Sequence, residues 1–156
     1  MIRALLGLAL LLGGCLGPMP RPEPRLDRLL EQVDARESPS LGGRWLAFIG
    51  RRLGRDQVQL IDLQQQLPVP LPGLNRPDSQ PLSVAVDSRG ERLALIRQRH
   101  DRTELVLYRR NLMSSETIPL EPAGVPRRVA IRADGRSLAV QVSRLGRWQV
   151  DLIPLP

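Results

Sequence analysis

The sequence predicts an all-β fold of three antiparallel, blade-like sheets preceded by one short amphipathic helix. Three observations carry that expectation. The chain repeats itself: Gly43-Arg44-Trp45-Leu46-Ala47-Phe48, Gly90-Glu91-Arg92-Leu93-Ala94-Leu95 and Gly135-Arg136-Ser137-Leu138-Ala139-Val140 align at a period of roughly 46 residues. Short apolar, β-branched runs recur between turn residues at a spacing of about 8–12 residues, the pattern of antiparallel strands and hairpins. Finally, 15 Pro and 13 Gly favour short elements and tight turns over long helices.

The first segment is an export signal. Met1-Ile2-Arg3 is a short positive region, and Ala4 to Leu12 is an apolar run of nine residues with one Gly. That length suits the core of a signal peptide and is too short to span a bilayer. Leu12-Gly13-Gly14-Cys15 follows, and Cys15 is the only cysteine. A lone cysteine in an exported chain is a free thiol, an intermolecular bridge or a modification site. These four residues resemble the signal of bacterial lipoproteins, in which an aliphatic residue and two small ones precede an invariant cysteine. The resemblance implies cleavage after residue 14 and lipidation of the Cys15 thiol, followed by acylation of the new amino group. A covalent lipid, with palmitate as the diagnostic label, then ties the chain to a membrane, and no dissociable cofactor is expected. Two or three acyl chains give stable anchoring where one is marginal. Leu16 replaces the Asp that favours inner-membrane retention, which implies the outer membrane, facing the periplasm. The bland alternative is a buried apolar helix with an incidental cysteine.

Residues 15–24 form a proline-spaced tether, Gly17-Pro18-Met19-Pro20-Arg21-Pro22-Glu23-Pro24, which should be extended at about 3 Å per residue. Leu26, Leu29, Leu30 and Val33 then recur at helical spacing. They predict a short helix over residues 25–37 with one apolar stripe against the domain. Acids and arginines balance on its other face, which argues against a membrane-lying helix.

Residues 38–156 hold the repeats, in units of about 38–80, 81–125 and 126–156. Val84-Ala85-Val86-Asp87-Ser88-Arg89 and Val129-Ala130-Ile131-Arg132-Ala133-Asp134 precede the second and third repeat glycines. After each core come an Arg-rich loop and another strand: Val58 to Leu63, Thr103 to Arg109, and Arg147 to Ile153. Two copies add an outermost strand with prolines, Leu67-Pro68-Val69-Pro70-Leu71 and Thr117-Ile118-Pro119-Leu120. There a missing N–H breaks no ladder. Four strands per unit of this length is a β-propeller blade.

The unit resembles the TolB-like propeller repeat, in which a Ser-Pro-Asp-Gly turn leads into Leu/Ile-Ala-Phe and a later strand ends in Asp. Ser38-Pro39-Ser40 lies just before Gly43, Ala133-Asp134-Gly135 keeps the turn, and Asp62 and Asp151 fall at the strand-end position. Leu107-Tyr108 stands there in the second copy. The resemblance implies an incomplete TolB-like β-propeller, since closed propellers have about four to eight blades. The first strand is expected to be stunted and the last unit to lack its outer strand. Open edges invite pairing, so a protein partner or self-association into a homo-oligomer is expected. Relatives of TolB work with peptidoglycan-associated lipoproteins, but no residue here carries that partner across.

All 23 basic residues are Arg, against 16 acids, for a net charge of +7. Without Lys, Schiff-base chemistry is excluded. Arginines gather in the loop between the second and third strands of each unit: Arg51, Arg52 and Arg55; Arg97, Arg99 and Arg102; Arg144 and Arg147. In a propeller these loops share a face. They are the candidate site for anionic envelope components such as lipid head groups, phosphorylated glycans or an acidic protein. A solvated rim is the bland alternative. Export argues against nucleic acid as a partner.

His100 is the only histidine, so no zinc or copper cluster has enough ligands once Cys15 is lipidated. No Gly-x-Ser-x-Gly elbow or phosphate-cradling loop is present. Asp62, Asp87, Asp134 and Asp151 read as turn and strand-end residues. The expectation is therefore a non-catalytic, lipid-anchored protein-binding or scaffold module and not an enzyme. The alternatives are a self-associating structural lipoprotein and a propeller-type hydrolase, for which His100 would have to meet a Ser and an Asp.

Overall fold

The computed structural model describes residues 21–156; the segment 1–14, Cys15 and tether residues 16–20 lie outside the described residues. Helix α1 (Pro24–Gln32) leads into three antiparallel sheets. The first blade is β1 (Ala35–Gly42), β2 (Trp45–Arg52), β3 (Arg55–Asp62) and β4 (Leu67–Pro68), neighbours in that order. The second is β5 (Gln80–Val86), β6 (Arg92–Arg99), β7 (Arg102–Arg109) and β8 (Ser114–Ile118). The third is β9 (Val125–Ile131), β10 (Ser137–Arg144) and β11 (Arg147–Pro154), with no fourth strand among the described residues. This is the expected all-β fold of an incomplete propeller.

Three boundaries differ from expectation. The helix stops at Gln32 rather than 37, because Asp34 takes a positive φ of 44° and turns the chain so that Ala35 pairs with Gly50. Cross-strand pairing thereby takes residues that helical periodicity had claimed. For the same reason β1 is a full eight-residue strand and not a stunted one. Its register slips between Glu37 and Ser40, around Pro39, which has no N–H to give. The proline strands are outermost as expected, but in the first only Leu67 and Pro68 pair, and in the second the strand is Ser114–Ile118 and ends before Pro119.

The core lies in the two seams between blades. Trp45, Ala47, Ile49, Val58 and Leu60 of blade one meet Val84, Val86, Leu93, Leu95, Val106 and Tyr108 of blade two. Ala85, Ala94, Ile96 and Leu105, on the reverse face of blade two, meet Val129, Leu138, Val140 and Val142 of blade three. The middle blade is thus buried on both faces. Its strands read as continuous apolar runs for that reason, as a two-sided sheet must.

The repeat glycines serve these seams. Gly90 has φ 66°, and an added Cβ would meet the Trp45 ring at 2.5 Å. At the first and third repeat glycines, Gly43 and Gly135, an added Cβ would meet the Ser88 carbonyl oxygen at 2.5 Å and Asp87 Oδ2 at 2.9 Å. The guanidinium groups of Arg44 and Arg110 also lie over the Trp45 ring, 4.7 and 4.8 Å from its centroid.

Alternation along β2 and β3 turns Leu46, Phe48 and Ile61 away from blade two. Phe48 and Ile61 are nonetheless 3% and 1% exposed. Helix α1 covers them. Its stripe of Leu26, Leu29, Leu30 and Val33 is half-buried, and an added Cβ on Gly50 would meet the Val33 carbonyl at 2.8 Å. At its two ends, Gln66 Nε2 donates to Glu23 Oε2 (2.6 Å) and the Arg51 N–H donates to the Asp34 carbonyl (3.3 Å). The helix therefore lies along the height of the blade.

Candidate functional site

Three surfaces of the arc can meet a partner: the inner groove, the hairpin rim and the far face of blade three. The groove, of about 630 Å³, is lined by the innermost strands β1, β5 and β9. Serine hydroxyls close their inner edges from blade to blade. Ser38 Oγ accepts from the Val84 N–H (2.9 Å), Ser40 Oγ from Val86 (3.1 Å) and Ser83 Oγ from Val129 (3.2 Å). Each bond joins residues 46 apart, so the three inner strands run in the same direction. The series stops at blade three, whose inner strand β9 contains no serine.

Because the inner strands run in one direction, the hairpins joining the second and third strands of each blade emerge on one rim. The turns are Arg52-Leu53-Gly54-Arg55, Arg99-His100-Asp101-Arg102 and Arg144-Leu145-Gly146-Arg147, each closed by pairing of its two arginines. Both central residues have positive φ in every turn: 52° and 76°, 46° and 62°, 50° and 76°. This is the two-residue type I′ hairpin, whose twist matches the strands and which favours Asn and Gly. Leu53 and Leu145 occupy the first position in that left-handed conformation. They are also 89% and 104% exposed, so neither packing nor backbone preference accounts for them.

The arginines expected at this rim divide into two sets. Arg97 departs from that expectation: it is buried in the seam between blades one and two beside Val58 and Leu95, with Nε donating to Glu104 Oε1 at 2.6 Å and Nη1 without a partner among the described residues. Strand alternation points it inward, away from the hairpin end. Arg144 is likewise engaged within the fold. It donates to Asp151 Oδ1 (2.9 Å) and to the Pro122 carbonyl (2.8 Å). That bond lowers the Asp151 pKa and raises that of Arg144. Arg51 pairs with Asp56 (3.3 Å) and Arg99 with Asp78 (2.8 Å). The Asp78 carboxyl is held below its ordinary range chiefly by Arg76, with Arg99 adding to the effect. Arg52, Arg55, Arg102 and Arg147 have no ion pair among the described residues. Cys15 lies outside the described residues.

The turn aspartates act as expected with one exception. Asp62 Oδ1 accepts from Gln64 and Gln65 N–H, Asp87 Oδ1 from Glu91 and Arg92, and Asp134 Oδ1 from Arg136. Asp151 instead sits within β11.

A cleft of about 530 Å³ between the first two hairpins brings Arg51, Arg55 and Arg99 together with Asp56, Asp78, Ser79, His100 and Asp101. It thus gathers the histidine with a serine and aspartates. However, the Ser79 hydroxyl donates to the Arg76 carbonyl (3.3 Å), and His100 makes no side-chain hydrogen bond among the described residues. No nucleophile–base bond is formed.

The third surface was not foreseen. Trp148, Val150 and Leu152 alternate along the outward face of β11 and are 58%, 68% and 78% exposed. They pair with Ser143, Gln141 and Ala139 of β10. A shallow apolar depression of about 510 Å³, lined by Ala130, Ala139, Leu152 and Pro154, lies on the same side. The signal was present in the sequence: Trp148, Val150 and Leu152 alternate with Gln149, Asp151 and Ile153. What it lacked was which face another blade covers.

No family model and no curated protein matches the chain. Solved structures do. TolB from Acinetobacter baumannii superposes with a TM-score of 0.60 at 15% identity, over 78% of this chain and 30% of that one. The β-propeller domain of the Trilobed protease from Pyrococcus furiosus, described as having an open velcro topology, gives 0.51 at 13% identity, over 77% and 42%. The chain therefore spans less than half the length of both. The likeness establishes a TolB-like propeller fold, of which this chain supplies an arc.

Proposed function

We propose that this chain is a lipid-anchored protein of the bacterial cell envelope whose three-bladed arc binds protein without catalysing a reaction. The observation that carries the binding role is the asymmetry of the arc's two ends. Helix α1 covers the outward face of blade one, while the outward face of blade three, at the other end of the arc, leaves Trp148, Val150 and Leu152 in solvent. A contiguous apolar face at the end of the arc is the ordinary mark of an interaction surface. The envelope anchor rests on Leu12-Gly13-Gly14-Cys15.

Two experiments test the parts separately. Labelled palmitate should enter the protein in cells, and Cys15→Ser should abolish that labelling and release the chain from membranes; equal labelling or membrane retention of the variant defeats the anchor. A photo-crosslinking residue at position 150 should trap one discrete protein in intact cells. Loss of that adduct with Leu152→Glu is expected, and an unchanged adduct pattern defeats the docking face.

The second reading is self-association, with the same face meeting its copy across a two-fold axis. It is favoured by the self-complementary apolar character of Val150 and Leu152. A mass that rises with concentration in sedimentation, and an adduct at twice the chain's mass, select it over a separate partner.

A further inference from the structure

We infer that the hairpin rim is a docking surface for anionic phospholipid membranes, with Leu53 and Leu145 as the inserting residues. The inference takes from the proposed function only an envelope location. Three independent features meet on this rim. Blades one and three present the same tetrapeptide, Arg-Leu-Gly-Arg, at the same turn. In both, leucine occupies a left-handed position that the turn type gives to Asn or Gly. In both it projects almost wholly into water. A residue set where the fold disfavours it, twice, and left in solvent, is placed for something outside the chain.

The surrounding chemistry identifies that something. Arg52 and Arg55 flank Leu53, Arg147 follows Leu145, and Arg102 closes the middle turn, all without ion pairs among the described residues. Asp101 is the acid among these turn residues. Apolar tips between unpaired guanidinium groups suit a phosphate-bearing surface over a hydrocarbon layer: arginines bind the head groups while leucines enter between them. Trp148 stands one residue beyond the third turn, opposite Ser143 and 58% exposed. An aromatic at that depth is where interfacial tryptophans reside.

Trp148 also supplies the readout. The chain of residues 15–156 carrying Cys15→Ser, without the apolar run Ala4 to Leu12, is mixed with vesicles of phosphatidylcholine alone or with about 30% phosphatidylglycerol. Its tryptophan emission is followed, together with quenching by lipids brominated near the head group. The other tryptophan, Trp45, is buried at the opposite rim, and Trp148→Phe assigns the signal. A blue shift and quenching on the anionic vesicles alone are expected. Leu53→Asn with Leu145→Asn should weaken the partition by more than about tenfold, as should Arg55→Glu with Arg147→Glu. An unmoved Trp148 signal on anionic vesicles overturns the inference, as does an equal signal on phosphatidylcholine or one that survives the tip substitutions. The assay contains no partner protein and reads the rim, not the N-terminus. Its failure therefore leaves the anchor and the blade-three surface untouched, and theirs leaves it.

Discussion

At the scale of single residues, the fold depends on close approaches that admit no substitute. Gly90 combines a left-handed φ with the Trp45 ring directly above it. Gly90→Ala should therefore lower unfolding free energy by about 2–4 kcal/mol, adding backbone strain to overpacking in the seam. Urea denaturation followed by Trp45 fluorescence measures it. Residue chemistry also sets acid stability. Asp78 and Asp151 are held below the unfolded value of 3.8 by bonds to Arg76 and Arg144. A carboxylate whose folded pKa is depressed binds fewer protons folded than unfolded, so it stabilises the fold above the unfolded value. That contribution declines as pH falls through the depressed folded value. The expected result is a urea midpoint that drops on acidification below about pH 4, with a shallower drop in Asp78→Asn/Asp151→Asn. An equally steep drop in the double variant would show these pairs to be neutral.

At the scale of elements, the hairpins show sequence and fold disagreeing. The β2–β3 and β10–β11 turns are closed by a left-handed leucine that lies almost wholly in solvent. If the turn alone mattered, Asn would serve better. Leu53→Asn and Leu145→Asn are thus expected to raise stability by about 0.5–1 kcal/mol each, read as a higher melting temperature. This is the opposite of what loss of a packed leucine would do. Helix α1 shows a different tension. Its periodicity extends to Val33 and resembles a longer helix, yet Ala35 onward belongs to β1. Ladder pairing with β2 outweighs helical propensity there, a tertiary effect that periodicity cannot report. The hairpin ends were legible in the sequence, since each loop was bracketed by arginines at a constant offset. Arg97 was misplaced because its inward direction depends on strand register with Glu104, and one residue of register reverses every side chain.

At the scale of the molecule, the arc has two unlike ends. Blade one is capped by α1, whose stripe shields Phe48 and Ile61. Leu29→Asp with Leu30→Asp should uncover them and cost about 2–3 kcal/mol. Val150→Glu with Leu152→Glu, at the bare end, should change stability by less than about 0.5 kcal/mol, since both side chains already lie in solvent. Chemical denaturation of the two variants side by side measures the contrast; equal losses would mean that blade three is covered in the isolated chain.

Local chemistry decided what sequence alone could determine: the repeat of roughly 46 residues, strands rather than long helices, and the turn glycines. These depend on residues adjacent in the chain, whose propensities and spacing are legible without coordinates. The tertiary structure decided which arginines are spent on Glu104, Asp78 and Asp151 and which have no ion pair among the described residues, that α1 caps one end, and that Trp148, Val150 and Leu152 are left bare at the other. Those outcomes turn on which face of each sheet another element covers. Burial is a property of neighbours distant in sequence, and an alternating strand reads the same whether its second face meets protein, lipid or water.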